Sequence, residues 1–262
     1  MPTRLLDHPP RARGRSRLLR AALRALAATG IAIAVAGTAT AAPVGIPVPP
    51  GGHVTGWGNG DDGRTTAPDA PSGQTYTAVA AGKSHSLALT TDGHVTAWGS
   101  NSHGQLTGVP TGGGYTAIAA GTYHSLALTA DGHIKAWGNS SSAQLYGVPT
   151  DDGYTAIAAG TFHSLALTAD GHIKTWGQGN AGEVPTGGGH TAIAAGTSHS
   201  LALTTDGHIK TWGNNNYGQL DGAPTGSGYT AIAAGIYHSL AVGTWTAPVL
   251  TGGPPAATVG QP

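Results

Sequence analysis

Five near-identical copies of one segment follow one another along this chain, and their spacing constrains the fold more than any other feature. The clearest copy, residues 115–138, reads YTAIAAGTYHSLALTADGHIKAWG. A fixed period of this kind is typical of repeat architectures, in which each copy forms one supersecondary unit. The first histidine of the motif recurs every 36 or 39 residues, at His85, His124, His163, His199 and His238.

Each copy has the residue pattern of a small antiparallel sheet. Residues 124–129 alternate large and small side chains with a period of two, as a strand does. The following Asp131-Gly132 pair indicates a hairpin, because glycine adopts positive φ at no steric cost. With residues 116–120 before this strand, 133–138 after the hairpin and a short segment at 144–146, the copy contains four predicted strands. A unit of this size is typical of one β-propeller blade, and the hairpin argues against the alternative of a β-solenoid.

The faces of the predicted strands and the two ends of the repeat region fit a closed ring. Leu126 and Leu128 point one way and Ala127 the other, so large residues of one blade can seat against small residues of the next. The segment 53–59 reads as the back half of a repeat and 229–242 as the front half. The sequence therefore predicts an all-β, closed β-propeller of five four-stranded blades, one of them split between the N- and C-terminal halves. Closure would leave no edge strand exposed.

The repeats occupy residues 51–242, and the segments outside them differ in composition. Seven arginines precede an apolar run at 25–37 and a small-residue site at Ala39-Thr40-Ala41, the pattern of a secretory signal peptide. An uncleaved anchor is the alternative, but the run is shorter than the roughly 20 residues that span a bilayer. We predict a signal peptide at 1–41, a linker at 42–50, a Pro/Gly-rich mobile tail at 243–262 and a secreted protein.

Charge changes sharply when the leader is removed. The whole chain is formally neutral, whereas the part after residue 41 keeps five basic and eleven acidic residues, a formal charge of −6. Nucleic-acid binding requires a basic surface that neutralises phosphates. We therefore exclude nucleic acid as a partner and expect no membrane association after cleavage. The chain has no cysteine, so its stability depends on packing alone.

The units AGxxHSLAL and DGHIKxWG resemble the repeats of the regulator-of-chromosome-condensation family, over about residues 51–242. The resemblance implies a β-propeller, which in that family usually has seven blades, whereas five are counted here. Within the family, the short period and the leader are most similar to the secreted, propeller-type (type II) β-lactamase inhibitory proteins of actinobacteria. That likeness implies a non-catalytic protein whose partner is a β-lactamase or a related penicillin-binding enzyme.

One face of the predicted propeller carries the residues that vary between repeats. Strand direction places the turn before each motif histidine and the loop after each Trp-Gly pair on the same face. A nearly constant scaffold with one varied face is typical of a binding surface. Aromatic anchors are predicted there, although packing over the channel mouth is the alternative interpretation. In the resembling inhibitors, aromatics at the position before the motif histidine contact the enzyme. The predicted partner-binding residues are Tyr123, Phe162, Tyr237, Tyr217, Ser84, Ser198, Asp61, Asp62, Asn101 and Asn139.

Neither the histidines nor the acids form a recognisable catalytic or metal-binding motif. We interpret the motif histidines as locally hydrogen-bonded parts of each repeat, and the second set, His53, His94, His133, His172 and His208, as hairpin-edge residues. The aspartates that precede them stand in hairpin turns, where aspartate is favoured for backbone reasons. We therefore expect no enzyme activity, no cofactor and no metal.

Three functions remain as hypotheses. The first is a secreted, monomeric propeller that binds a protein, such as a β-lactamase, through the varied face. The second is a lectin-like propeller with one glycan site per blade, in which multivalency would raise the avidity. The third is a secreted hydrolase with a site in the central channel. Whether five blades close alone or through pairing of two chains is open at this point.

Overall fold

The computed structural model describes residues 34–35, 53–178 and 183–243. The predicted linker lies outside the described residues, as does the signal peptide apart from Ala34–Val35 and the tail beyond Gly243. No helix in the described part of the chain is long and apolar enough to cross a membrane.

The described residues form five antiparallel sheets that follow one another along the chain. Sheet 1 has the order β2-β3-β4, sheet 2 β5-β6-β7, sheet 3 β8-β9-β10, sheet 4 β11-β12-β13 and sheet 5 β1-β14-β15. A single turn of 3-10 helix, at Asp61–Gly63, precedes sheet 1. The strands are β1 (Ala34–Val35), β2 (Tyr76–Ala81), β3 (His85–Thr90), β4 (Val95–Gly99), β5 (Tyr115–Ala120), β6 (His124–Thr129), β7 (Ile134–Gly138), β8 (Tyr154–Ala159), β9 (His163–Thr168), β10 (Ile173–Gly177), β11 (His190–Ala195), β12 (His199–Thr204), β13 (Ile209–Gly213), β14 (Tyr229–Ala234) and β15 (Ser239–Gly243).

The hairpin between the second and third strands forms where the sequence predicts it. In sheet 1, Gly93 has a φ of +79°, and a Cβ on this residue would lie 2.6 Å from the nitrogen of Gly114. Thr90 donates its hydroxyl to Asp92 at 2.6 Å and accepts the His94 amide at 2.9 Å. The Asp-Gly pair therefore combines a positive φ, a close backbone approach and a side-chain link across the turn.

The prediction of a fourth strand is wrong for the described residues, because each sheet contains three. Residues 144–146 form turns instead. Gln144 is fully buried, its side-chain oxygen accepts the Ser142 amide at 2.8 Å, and its carbonyl accepts the indole N–H of Trp176 at 2.9 Å. The polar groups of this segment are thus engaged by its own loop and by the next sheet, and not by a strand ladder.

Neighbouring sheets pack face to face with large side chains against small ones, as predicted. Leu87 and Leu89 of β3 share one buried cluster with Ala127 of β6 and with Trp137. Leu126 and Leu128 on the other face of β6 pack against Ala166 and Trp176 in the next cluster. The strand contacts that join the sheets run in chain order, from sheet 1 to sheet 5.

The predicted split blade is not formed in the structure. Residues 53–57 adopt no strand, and Trp57 is 86% exposed. Sheet 5 pairs β14 with the two residues of β1, and β15 forms its other edge, where Leu240 and Val242 are about half exposed. Closure into a five-bladed ring therefore remains a prediction.

Candidate protein-binding rim

Two kinds of loop meet on one face of the sheets, as strand direction predicts. The Ser100 amide, just after the first Trp-Gly pair, donates to the Ser84 carbonyl at 2.8 Å, and the Asn139 amide donates to the Tyr123 carbonyl at 2.9 Å. Because the same bond recurs in later repeats, the loop before each motif histidine and the loop after Trp-Gly form one continuous surface. We call this surface the rim. Its described loops are residues 82–84, 121–123, 160–162, 196–198 and 235–237 together with 59–63, 100–104, 139–143, 178 and 214–218.

The first aromatic cluster of the rim surrounds Tyr123. The His103 ring lies 4.6 Å from the Tyr123 ring, centroid to centroid, at an interplanar angle of 38°. The Lys83 ammonium is 5.5 Å from the centroid of the same ring and 3.4 Å from its phenol oxygen. A cation over a tyrosine face is attracted by the ring quadrupole. Two neighbouring repeats therefore combine to hold one half-buried tyrosine at the surface.

The second aromatic cluster joins Tyr217 and Tyr237. Their ring centroids are 4.3 Å apart at an interplanar angle of 40°, and the residues are 67% and 51% exposed. Both were predicted as anchors. A pair of exposed tyrosines in tilted ring contact presents amphipathic area of the kind that is enriched in protein interfaces.

Lys83 and His103 were not among the predicted residues, although the repeat contains a signal for His103. His103 and Tyr217 both stand five residues after a repeat tryptophan, and each contacts the aromatic residue before the next motif histidine. Aligning the loop of one repeat with the turn of the following repeat would have paired them. Phe162, Ser84 and Ser198 lie on the rim and are half-buried.

The predicted acidic residues are engaged with a neighbouring arginine. Asp62 forms an ion pair with Arg64 at 3.0 Å, and the Arg64 guanidinium also donates to the Lys83 carbonyl at 3.3 Å. Arg64 further donates to the Asp61 carbonyl at 2.8 Å. The turn that carries Asp61 and Asp62 is thereby attached to the rim next to the Tyr123 cluster.

The two predicted asparagines stabilise their own loops. The Asn101 side-chain oxygen accepts the Leu106 amide at 2.8 Å. The Asn139 side-chain oxygen accepts both the amide of Ser141, at 2.8 Å, and its hydroxyl, at 2.6 Å. These bonds account for asparagine at both positions without a partner.

Four of the five motif histidines, His85, His124, His163 and His199, are buried and bond across repeats, which corrects the prediction of local bonding. His124 Nε2 lies 2.8 Å from the Ser164 hydroxyl of the next sheet, and His85 makes the same contact with Ser125 at 2.9 Å. Burial lowers the pKa of His85 to about 4 and that of His124 to about 3, the latter with a smaller effect of neighbouring histidines. They are neutral at pH 7 and join adjacent sheets.

Four hairpin histidines, His94, His133, His172 and His208, are at the opposite face, where each faces the aspartate of its own turn. His172 Nδ1 lies 3.0 Å from an Asp170 oxygen, and both side chains are more than half exposed. The Thr168 hydroxyl, and next His172, lower the pKa of Asp170 to about 2. Among the described residues no three His, Cys, Asp or Glu side chains are grouped so as to hold a metal ion.

Four segments of the chain match a family model described as the regulator of chromosome condensation (RCC1) repeat. The chain contains RCC1 repeats. The matched residues, slightly less than half of the chain, include most of sheets 1 to 4 and the loops after their Trp-Gly pairs. They are 76–105, 115–144, 154–183 and 191–219. No curated protein matches the sequence.

Solved structures with similar folds include plant and yeast proteins. The CRINKLY WD40 ectodomain of the Arabidopsis thaliana receptor kinase ACR4 is 25% identical, with a TM-score of 0.55 over 67% of this chain and 63% of that one. The ectodomain of the Physcomitrella patens receptor kinase CR4 is 24% identical, with a TM-score of 0.57 over 68% and 50%. Prp20p from Saccharomyces cerevisiae, described with its binding to Gsp1p and histones, is 24% identical, with a TM-score of 0.52 over 65% and 56%.

These likenesses support the predicted β-propeller fold and leave the number of blades open. The chain spans between half and just under two thirds of the length of the three structures. The RCC1 repeats and the fold agree with the predicted role in protein binding.

Proposed function

We propose that this chain is a secreted, non-catalytic β-propeller that binds a protein partner through the rim. The observation that carries the proposal is the position of the two aromatic clusters, Tyr123 with His103 and Tyr217 with Tyr237, on the one face where the repeats differ. Aromatic side chains in such positions are the usual anchors of protein interfaces. The leader pattern at residues 1–41 supports secretion.

The sharpest form of the proposal is inhibition of a β-lactamase or a related penicillin-binding enzyme. Its support is the resemblance of the repeats and leader to secreted propeller-type inhibitors. Prp20p, another propeller, is described with its binding to Gsp1p and histones, which supports protein binding as a use of this fold. The glycan-binding and hydrolase alternatives stay predictions.

The test is capture of a partner by the chain that begins at Ala42. The parent and the variant Tyr123→Ala/Phe162→Ala/Tyr237→Ala would be compared on culture medium and on a purified panel of β-lactamases. A matched control, His133→Ala/Lys135→Ala, alters exposed residues next to the hairpin on the opposite face.

We expect the parent and the control to capture the same protein, and the rim variant to lose it while keeping its circular dichroism spectrum. Equal capture by all three proteins contradicts a role for the rim. An absence of any captured protein, together with binding on a glycan array, would favour the lectin alternative.

We also propose the arrangement that the two half-repeats predict: five blades in a closed ring, formed by a monomer, with one blade shared between the two ends. The contacts at the four existing junctions between sheets support it, because the same side-chain pairs recur at each of them.

A further inference from the structure

At the junction between sheets 1 and 2, and again between sheets 2 and 3, a tryptophan of the later sheet fills a slot against the earlier sheet. Trp137 of sheet 2 is 3% exposed and donates its indole N–H to the carbonyl of Gln105 at 2.9 Å. Trp176 of sheet 3 makes the same bond to Gln144. The slot that holds Trp137 has three parts. They are Leu87 and Val95 of sheet 1, Gln105 and Val109 of the segment that follows sheet 1, and Ala127 of β6.

The junction between sheets 4 and 5 has the same slot, but among the described residues it is open. A cavity of about 320 Å³ lies there. Its lining includes the residues at the equivalent repeat positions, namely Leu201, Ile209, Gln219, Ala223 and Ala241. The corresponding core cluster contains Leu201 and Ile232 and has no tryptophan. Ala241 is exposed, whereas its counterparts Ala127 and Ala166 are fully buried.

Trp57 has the repeat position that belongs to this slot. Trp98 stands seven residues before Gln105, and the Gln105 carbonyl accepts the indole N–H of Trp137, the next repeat tryptophan. In the same way, Trp57 stands seven residues before Arg64, and the Arg64 carbonyl accepts the indole N–H of Trp98 at 2.9 Å. By the same count, Gln219 in the slot offers the carbonyl for Trp57. Yet Trp57 is 86% exposed, the most exposed large apolar side chain in the described part of the chain.

The histidine–serine contacts are incomplete at the same two ends. His199 of sheet 4 contacts Ser239 of sheet 5 at 3.1 Å, which continues the series from sheet 1. His238 of sheet 5 is exposed, and Ser86 of sheet 1 donates to a carbonyl, that of Arg64, at 2.9 Å. Ser239 likewise donates to the Gln219 carbonyl while it contacts His199. Ser86 therefore retains its lone pairs for a histidine N–H.

We propose that the open slot between sheets 4 and 5 binds Trp57 of the same chain. In this arrangement residues 53–58 pair antiparallel with β15, with Trp57 opposite Ser239 and Val54 opposite Val242, as Trp98 and Val95 stand opposite Ser86 and Leu89. His238 then contacts Ser86. The inference rests on the proposed ring and is independent of the proposed binding function.

The connection from Trp57 to Arg64 favours the same chain as the source of the tryptophan. It has the length of the segment from Trp98 to Gln105, which joins adjacent sheets. Trp57 in the slot therefore brings sheet 1, which follows it in the chain, against sheet 5. A second copy bound head to tail would fill this slot and leave another slot and another Trp57 open at the ends of the pair. One chain satisfies both ends in a single unimolecular step.

The test is an engineered cross-link, which the absence of cysteine makes unambiguous. The chain from Ala42 with Val54→Cys/Val242→Cys would be oxidised and run on a non-reducing gel. The control is Val54→Cys/Thr230→Cys, because Thr230 lies on β14, on the far side of β15 from the proposed strand. We expect a cross-linked monomer for the first pair and none for the control.

Fluorescence of the parent gives a second measurement that requires no cysteine. Trp57→Phe removes the fluorescence of Trp57 alone. The difference between the acrylamide quenching curves of the parent and of this variant therefore reports how readily acrylamide quenches Trp57. We expect quenching several-fold weaker than for free tryptophan, and we expect Trp57 to become accessible when His238→Ala/Ser86→Ala removes the contact at the same junction.

Three results would overturn the proposal. Cross-links between two chains would assign the slot to a second copy. Cross-linking that requires deletion of residues 244–262 would assign it to the C-terminal segment. If no cross-link forms and Trp57 is not protected from quenching, Trp57 does not occupy the slot. Partner capture by the rim is scored separately, so loss of one activity with retention of the other shows which proposal fails.

Discussion

At the scale of single residues, the buried histidines show how one side chain can join repeats. Ser239 donates its hydroxyl to the Gln219 carbonyl, so its oxygen accepts the N–H of His199 Nε2. This fixes the neutral tautomer, with the proton on Nε2, and the same assignment fits His124 with Ser164. Protonation would place a charge where burial opposes it, as the lowered pKa of His124 shows.

We predict that the free energy of unfolding falls as pH is lowered below about 6.5. The unfolded chain binds protons at the ordinary histidine pKa of 6.5, whereas the folded pKa is about 3 for His124 and about 4 for His163, mainly because of burial. The contribution of these neutral histidines to the free energy of unfolding is therefore complete above pH 6.5 and is lost as the pH falls towards 4. Each of these histidines contributes about 2–3 kcal/mol of loss by pH 4.5. Urea unfolding at several pH values measures this, and His124→Asn should show a shallower slope.

Ser164→Ala should destabilise the fold although it removes only one oxygen. The His124 N–H then loses its partner in a fully buried site, which costs about 1–3 kcal/mol. Ser72→Ala, at an exposed turn, is the matched control and should change the unfolding midpoint little. Equal effects of the two substitutions in urea unfolding would contradict a structural role for the histidine–serine contact.

At the scale of elements, the residues within each hairpin and strand are sufficient to predict its structure, whereas the loops after Trp-Gly depend on contacts with the next sheet. The Asp-Gly turns and the alternation of leucine with alanine were sufficient to predict the second and third strands of each sheet. The segment 144–146 was predicted as a short fourth strand. It forms turns because the Gln144 carbonyl binds the tryptophan of the following sheet.

Gly132→Ala should destabilise the protein, because Gly132 has a φ of +91° and a Cβ would lie 2.4 Å from the Gly153 nitrogen. The left-handed conformation alone costs about 1–2 kcal/mol for a residue with a side chain, and the contact adds to it. Gly226→Ala is the control, since a Cβ there meets nothing within 4 Å. Thermal melts should separate the two variants, and coincident melting curves would show that the turn relaxes.

At the scale of the whole molecule, four equivalent junctions hold five sheets in sequence, and the two ends are complementary. The open slot of sheet 5 has the residues that receive a tryptophan elsewhere, and the exposed Trp57 precedes sheet 1. The rim crosses these junctions, because the Tyr123 cluster combines residues of two neighbouring repeats. In the proposed ring, the shape of the rim therefore depends on the rotation between neighbouring sheets.

We predict that the amides of β15 exchange with solvent as slowly as those of β6 in the parent protein. In the proposed ring, both edges of β15 are paired. Its Leu240 and Val242 amides already face β14, whereas its Ser239 and Ala241 amides face the other edge and are protected, as in central strands, only when residues 53–58 pair there. In Trp57→Ala they should exchange faster, with β6 unchanged. Rapid exchange of β15 in the parent, measured by hydrogen–deuterium exchange, would indicate an open end.

The sequence by itself determined the period, the antiparallel hairpins, the leucine-on-alanine packing and the face on which the varied loops lie, because each depends on neighbouring residues or on strand direction. Only the tertiary structure decided the histidine–serine contacts, the tryptophan–carbonyl bonds and the pairing of His103 with Tyr123. These join residues 20 to 40 positions apart, in different repeats. Near-identical copies do not encode which partner a side chain takes, since that choice depends on how far one sheet is rotated against the next.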